Sequence, residues 1–262
     1  MENRYLNSIS LSTDEVLNDI DCLNKFKNEN LIILFNNFQS ANQLSNMENM
    51  ESFVNRSLTT TVKVLDYIKH FTRIKKIIYT SSSSVYGDNE CCSEDDIPHP
   101  INLQASLKLS NEFFIKQYCN RGNIDYTILR VFNMYGGGDN FSVISKIINA
   151  IKKNTQLSLV NNGSGIRDFV HIDDVAEVIL KLLYKKAIPI LNIGTGRKMS
   201  VKDILSYLHK NGFNVVIQNI CNENEIKISV ANTQRVQQII EKDFIKVEEY
   251  ILEKVLNKEV SV

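Results

Sequence analysis

Lys76-Ile77-Ile78-Tyr79-Thr80-Ser81-Ser82-Ser83-Ser84-Val85-Tyr86-Gly87 is the stretch on which the fold turns. Its opening residues read as a strand buried on both faces of a parallel sheet, and the run of serines marks where that strand stops. Upstream, Phe53 to Phe71 carries Val54, Leu58, Val62, Leu65 and Ile68 at helical spacing, and Leu31 to Phe35 is a second buried strand. Further back, Ser12 and Glu15 have capping-box spacing and open a helix that ends before Asn28. Downstream the alternation continues: helix Ala105 to Asn120, strand Tyr126 to Val131, helix Phe141 to Lys153, strand Leu157 to Val160, helix Asp173 to Tyr184, strand Pro189 to Ile193 and helix Val201 to Lys210. Beyond Gly212 the pattern loosens to a short strand, Val215 to Ile217, and helices near Thr233 to Ile240 and Val247 to Leu256. Helices alternating with short β-branched runs predict an α/β fold with a mostly parallel sheet.

Composition narrows the function. The 262 residues are 43% hydrophobic and 23% charged, enough to bury a sizeable core. Lys+Arg and Asp+Glu both number 30 with no like-charge run, which argues against nucleic acid and against a polybasic membrane anchor as partners. The longest apolar run near the start is Leu31 to Phe35, and Glu2, Asp14, Glu15 and Asp19 stand where a signal peptide would be apolar, so a cytoplasmic protein is expected. Cys22, Cys91, Cys92, Cys119 and Cys221 are odd in number and lack Cys-x-x-Cys spacing, the mark of reduced structural thiols.

Ligands of open parallel sheets sit at the carboxyl ends of the strands, and three such places are informative. Ser81 to Gly87 is the first; serines there also satisfy backbone groups in a turn. Arg130-Val131-Phe132-Asn133-Met134-Tyr135-Gly136-Gly137-Gly138 is the second, where Asn133 can donate to a phosphate oxygen beside flexible backbone, and a plain loop onto the next helix explains it as well. The third runs from Asn162 to Asp174: Arg167 beside glycine-rich backbone suits capture of a phosphate, or else pairs with Asp168 or Asp174 on the surface. His171 and Asp173 invite a metal, but only four histidines are present and none cluster, so none is expected.

In this order and spacing the three segments resemble the NAD-dependent epimerase/dehydratase family of the extended short-chain dehydrogenases/reductases, from about Leu31 to Ile240. The resemblance implies a Rossmann-like domain over residues 1–136, with 167–196 returning to it, and a smaller C-terminal substrate lobe from 137–166 and 197–262. It puts the sugar-contacting serine on Ser82 with Ser83 beside it, the diphosphate asparagine on Asn133, and the phosphate arginine on Arg167. Leu191 to Gly196 looks like the family's Asn-x-Gly-x-Gly turn. The implied ligand is a nucleoside-diphosphate sugar, and the implied cofactor is NAD(P).

Two departures accompany it. No Gly-x-x-Gly-x-x-Gly turn, the element that holds a dinucleotide pyrophosphate, precedes Leu31, so the sheet is expected to be truncated by about two βα units, on the order of 50 to 60 residues. The resulting edge at Leu31 to Phe35 then calls for cover from Tyr5 to Ser10, a homodimer mate or a partner subunit. The Tyr-x-x-x-Lys pair aligns Lys108 with the lysine and Gln104 with the tyrosine, and glutamine exchanges no proton at neutral pH. Tyr86, or Tyr135, is the candidate substitute phenol; the asparagine common before the serine strand falls on Ser57. The expectation is a nucleotide-sugar isomerase or epimerase with Ser82, Lys108 and Tyr86 at the chemistry and Ser83, Gln104, Asn133 and Arg167 on the substrate, acting without hydride transfer and with no cofactor. The alternatives are an NAD-dependent epimerase or dehydratase completed by a partner chain, and a non-catalytic sugar-nucleotide binder or shortened gene product.

Overall fold

The computed structural model describes residues 7–37, 50–222 and 225–257. Ser12 caps the first helix, α1 (Thr13–Asn18), by accepting from Glu15 N while the Glu15 carboxylate accepts from Ser12 N. A 3-10 turn, Ile20–Phe26, leads to β1 (Leu31–Phe35). The next helical stretch is broken into α2 (Met50–Val54), a π turn at Asn55–Thr59 and α3 (Thr60–Tyr67), the wider turn showing in the Thr60 N–H that reaches back to Asn55 O. In chain order there follow β2 (Ile74–Ser82), a 3-10 turn Ser83–Tyr86, β3 (Asn89–Cys92), α4 (Leu103–Gly122), β4 (Asp125–Val131), β5 (Asn133–Tyr135), α5 (Val143–Lys153) and β6 (Leu157–Val160). The rest are β7 (Ile166–Arg167), β8 (Phe169–His171), α6 (Ile172–Tyr184), β9 (Ile190–Ile193), β10 (Met199–Ser200), α7 (Val201–Lys210), β11 (Ile217–Ile220), β12 (Ile228–Ala231), α8 (Gln234–Gln237) and α9 (Val247–Leu256).

The main sheet is parallel throughout, in the order β1-β2-β4-β9. Neighbouring residues of a strand face opposite ways, so a sheet covered on both sides needs apolar residues without a break. Ile77, Tyr79 and Ile128 pack toward Val64, Leu65, Ile115 and Cys119 on α3 and α4, whereas Ile78, Leu129, Val131, Leu191 and Ile193 pack toward Val175, Val178 and Leu182 on α6. Lys76 is the buried exception. Its ammonium donates to Leu182 O and Lys185 O, each at 2.6 Å, and so meets carbonyls that the end of α6 leaves without helical donors.

A further core gathers Ile144 and Ile147 of α5, Ile204 and Leu208 of α7, and Ile251 of α9. Around it lie a mixed sheet, β10-β7-β12-β3, and two parallel pairs, β6 with β11 and β5 with β8. The expected strand at Val215 to Ile217 instead spans Ile217–Ile220, because pairing with β6 sets Ile217 opposite Leu157. Among the described residues β1 is an edge strand: its one ladder is to β2, and Leu34 is 46% exposed. Residues 7–10, expected to cover that edge, are exposed and carry no strand, and Tyr5 lies outside the described residues. No described helix is long and apolar enough to cross a membrane.

Candidate functional site

Ladder register decides which strand ends meet. Ser81 lies opposite Arg130 and Ser82 opposite Val131, while Arg130 and Val131 face Asn192 and Ile193 on the other side. Ser82, Asn133 and the turn from Gly194 therefore share the carboxyl edge of the sheet, the usual position of a ligand crevice. The Ser82 hydroxyl accepts from Ser84 N at 3.2 Å and opens the 3-10 turn, so one of these serines does serve its own backbone. Ser83 beside it is buried.

Beneath the strand ends runs a buried polar network that the sequence did not announce. Glu112 on α4 accepts from Arg130 Nη2 at 2.7 Å and Nε at 3.2 Å, and also from the Ser81 hydroxyl. The guanidinium carbon of Arg130 stands 4.7 Å from the centre of the Tyr86 ring, whose hydroxyl donates to Asn192 Oδ1 at 2.7 Å. Burial pushes the Tyr86 phenol up to about 12. Tyr86, the candidate stand-in acid/base, is a buried member of this network, with its hydroxyl bonded to Asn192 and its proton held more tightly than an exposed phenol's. Tyr135 is likewise occupied, its hydroxyl donating to Ile245 O at 2.8 Å.

Lys108 is also buried, its ammonium 2.7 Å from Thr80 O and 5.3 Å from the centre of the Tyr79 ring. Loss of solvation pushes its pKa down to about 7, against the opposing pull of the Glu112 carboxylate. Gln104 precedes it by one helical turn on α4 and is partly buried on that side. A lysine near 7 when folded and near its ordinary value when unfolded leaves the unfolded chain with more bound protons between those limits. Stability is therefore expected to rise with pH from about 7 toward 10 through this group. Lys108→Met should remove that part of the slope in urea titrations at pH 7 and 8.5; an unchanged slope would contradict a neutral buried amine.

The phosphate candidates lie on neighbouring segments, Asn133 at the start of β5 and Arg167 at the end of β7, just before β8, the strand that pairs with β5. Asn133 N donates to Asp168 O at 2.9 Å and Asn133 Nδ2 to the same oxygen at 3.2 Å, which places Asn133 against the residue next to Arg167. The Asp168 side chain is fully buried and accepts from Thr195 N, Thr195 Oγ1, Gly196 N and Ala231 N at 2.7–3.2 Å. Burial raises its pKa in spite of those bonds. Arg167 pairs with neither Asp168 nor Asp174: Nη2 lies 2.9 Å from Glu225 Oε1 and Nη1 donates to Ile166 O at 3.0 Å. Asp174 is instead 2.9 Å from Lys242. His171 Nδ1 accepts from Asp173 N at 3.2 Å, and its ring forms a three-ring cluster with Tyr135 and Tyr250, which also contact each other.

A sequence model of the NAD dependent epimerase/dehydratase family matches residues 13–194. The chain belongs to this family. It is 31% identical over 192 residues to protein CapI of Staphylococcus aureus, covering 72% of this chain and 56% of that protein. It is also 31% identical to a putative UDP-glucose 4-epimerase of Methanocaldococcus jannaschii, with 75% and 67% covered. Among solved structures, UDP-glucuronic acid 4-epimerase of Bacillus cereus with UDP-glucuronic acid and NAD superposes with a TM-score of 0.73 at 25% identity, over 79% of this chain and 68% of that one. UDP-glucose 4-epimerase of Thermotoga maritima shares the fold, with a TM-score of 0.81 at 21% identity over 95% and 82%. The chain spans about half the length of the curated relatives first matched, 56% and 42% of them.

NAD is this family's cofactor by its own description. Tested against that group, the residues present fit only in part. Lys108 and Gln104 are the residues expected at the family's lysine and phenol positions, and glutamine carries no titratable proton at neutral pH; all ten glycines of the sequence lie at or after Gly87, so these residues include no glycine turn for a pyrophosphate. What sequence reasoning missed are the partners: Glu112 with Arg130, Asp168 under the Gly194 turn, and Glu225 on Arg167. One of them had a signal. A Cβ on Gly194 would stand 2.6 Å from Asp168 Oδ2, so the glycine there reports a close approach by a side chain distant in sequence.

Proposed function

We propose that this chain binds a nucleoside-diphosphate sugar and acts on it as an isomerase or epimerase-type enzyme, with Asn133 and Arg167 on the diphosphate and Ser82, Ser83, Gln104 and Lys108 around the sugar. The observation that carries this is that Asn133 bonds to the carbonyl of Asp168, the chain neighbour of Arg167, beside the strand end that bears Ser82. Relatives named as UDP-sugar epimerases support the substrate class. Lys108, close to 7, takes or gives a proton at neutral pH, while Gln104 offers hydrogen bonds and no proton. That combination favours proton chemistry without hydride transfer.

A second reading is favoured by the edge position of β1 among the described residues together with NAD in the Bacillus cereus structure. In it the chain performs the family's NAD-dependent epimerisation or dehydration, and a partner chain, pairing along β1, contributes the pyrophosphate cradle. Incubating purified protein with UDP- and dTDP-sugars, with and without NAD, and following the sugars by NMR separates the readings. Conversion without NAD supports the first; conversion only with NAD and a co-purified chain supports the second. Binding without conversion leaves a non-catalytic binder. Arg167→Ala is expected to weaken UDP binding at least about tenfold in calorimetry, the loss of roughly one charge-assisted hydrogen bond.

A further inference from the structure

Arg167 is already engaged by the chain itself. Its Nη2 is 2.9 Å from Glu225 Oε1, and the two side chains are only 17% and 22% exposed, so water screens the pair weakly. Its Nη1 donates to Ile166 O, so both terminal nitrogens that would fork onto two phosphate oxygens have a partner. Gly165 makes this posture possible: a Cβ there would lie 2.7 Å from Nη1 and 3.0 Å from Glu225 Oε1.

Glu225 is held in place from the other side. Its Oε2 accepts from Asn161 Nδ2 at 2.9 Å, and Asn161 and Asn222 exchange a reciprocal pair, Asn161 Nδ2 to Asn222 O at 2.7 Å and Asn222 N to Asn161 Oδ1 at 3.1 Å. Asn162 N adds a bond to Asn219 Oδ1 at 2.7 Å. The turn after β6 is thereby latched to the segment after β11, and the latch delivers a carboxylate to the guanidinium. A carboxylate oxygen and a phosphate oxygen are both anionic acceptors, so the Glu225 carboxylate and a phosphate compete for Nη2.

We infer that Glu225, set by the Asn161–Asn222 latch, is a built-in competitor for the ligand's phosphate on Arg167, so that a nucleoside diphosphate binds by displacing it. The inference rests on the diphosphate reading of Arg167 and adds to it that Arg167 has an internal partner which the phosphate must displace. Bound phosphate takes over the guanidinium, the Glu225 carboxylate moves into solvent, and the latch loosens. Glu225→Gln weakens the competitor without removing its amide contacts, and Asn161→Ala frees Glu225 while leaving it charged.

The test is calorimetric titration of UDP, and separately of inorganic pyrophosphate, into wild type, Glu225→Gln, Asn161→Ala and Arg167→Ala, each checked for native circular dichroism. Expected is UDP binding about tenfold tighter in Glu225→Gln and severalfold tighter in Asn161→Ala, with Arg167→Ala weakest. Equal or weaker UDP binding in both latch variants, with wild type still binding through Arg167, overturns the competitor and leaves the diphosphate reading standing. Absence of UDP and pyrophosphate binding in every protein, including the variants that release Arg167, overturns both.

Discussion

Glu112→Ala is expected to lower the unfolding free energy by about 3–5 kcal/mol, the range for removing one member of a buried ion pair. The carboxylate accepts both Arg130 bonds and the Ser81 hydroxyl, and the two charged side chains are 3% and 5% exposed. Without it a buried guanidinium remains against the face of Tyr86 with no carboxylate among its described partners. Domains of ordinary stability have about 5–15 kcal/mol to lose, so this variant should stand near the threshold of folding. The double change Glu112→Leu with Arg130→Met should recover most of the loss, since replacing both partners leaves no orphan charge. Urea midpoints for wild type, the single and the double variant decide it; a loss under about 1 kcal/mol for Glu112→Ala would mean that Arg130 finds water or another partner.

Asp168→Ala is expected to cost about 3 kcal/mol and to weaken UDP binding at the same time, because its carboxylate receives four donors, three of them backbone, and an orphaned buried donor costs about 1–3 kcal/mol. Water entering the vacated space satisfies some of them, which keeps the total below the sum. The binding loss follows from geometry: Asn133 bonds to the Asp168 carbonyl and Arg167 is its chain neighbour, so a loosened Asp168 misplaces both. Gly194→Ala is an independent check, since its new methyl would press on the same carboxylate. Calorimetry with UDP on the folded fraction and thermal unfolding of the whole sample read the two effects separately. A destabilised Asp168→Ala that binds UDP as wild type does would confine Asp168 to a structural role.

The long elements were legible because each carries its own period. Leu31–Phe35, Leu157–Val160, Val201–Lys210 and Val247–Leu256 lie where their apolar spacing puts them. The short strands were not. Two residues at Met199–Ser200 or Ile166–Arg167 hold too little pattern to be read, and they exist because each completes the other's ladder. The π turn at Asn55–Thr59 was equally silent, since the apolar residues on either side keep nearly helical spacing through it. In the candidate site, Ser82, Lys108, Asn133 and Arg167 were singled out by motif, which reports residue type and spacing but no partner.

By itself, the sequence determined the α/β alternation, the buried strands and the family, because these depend on residue type and on periods within one segment. The tertiary structure alone decided that β1 is an edge among the described residues, that Tyr86 is an internal phenol tied to Asn192, and that Arg167 is held by Glu225. These depend on which distant segments the sheet register brings into contact, and on the low dielectric there, which turns a serine-rich strand end and a lysine into a site with a shifted proton affinity.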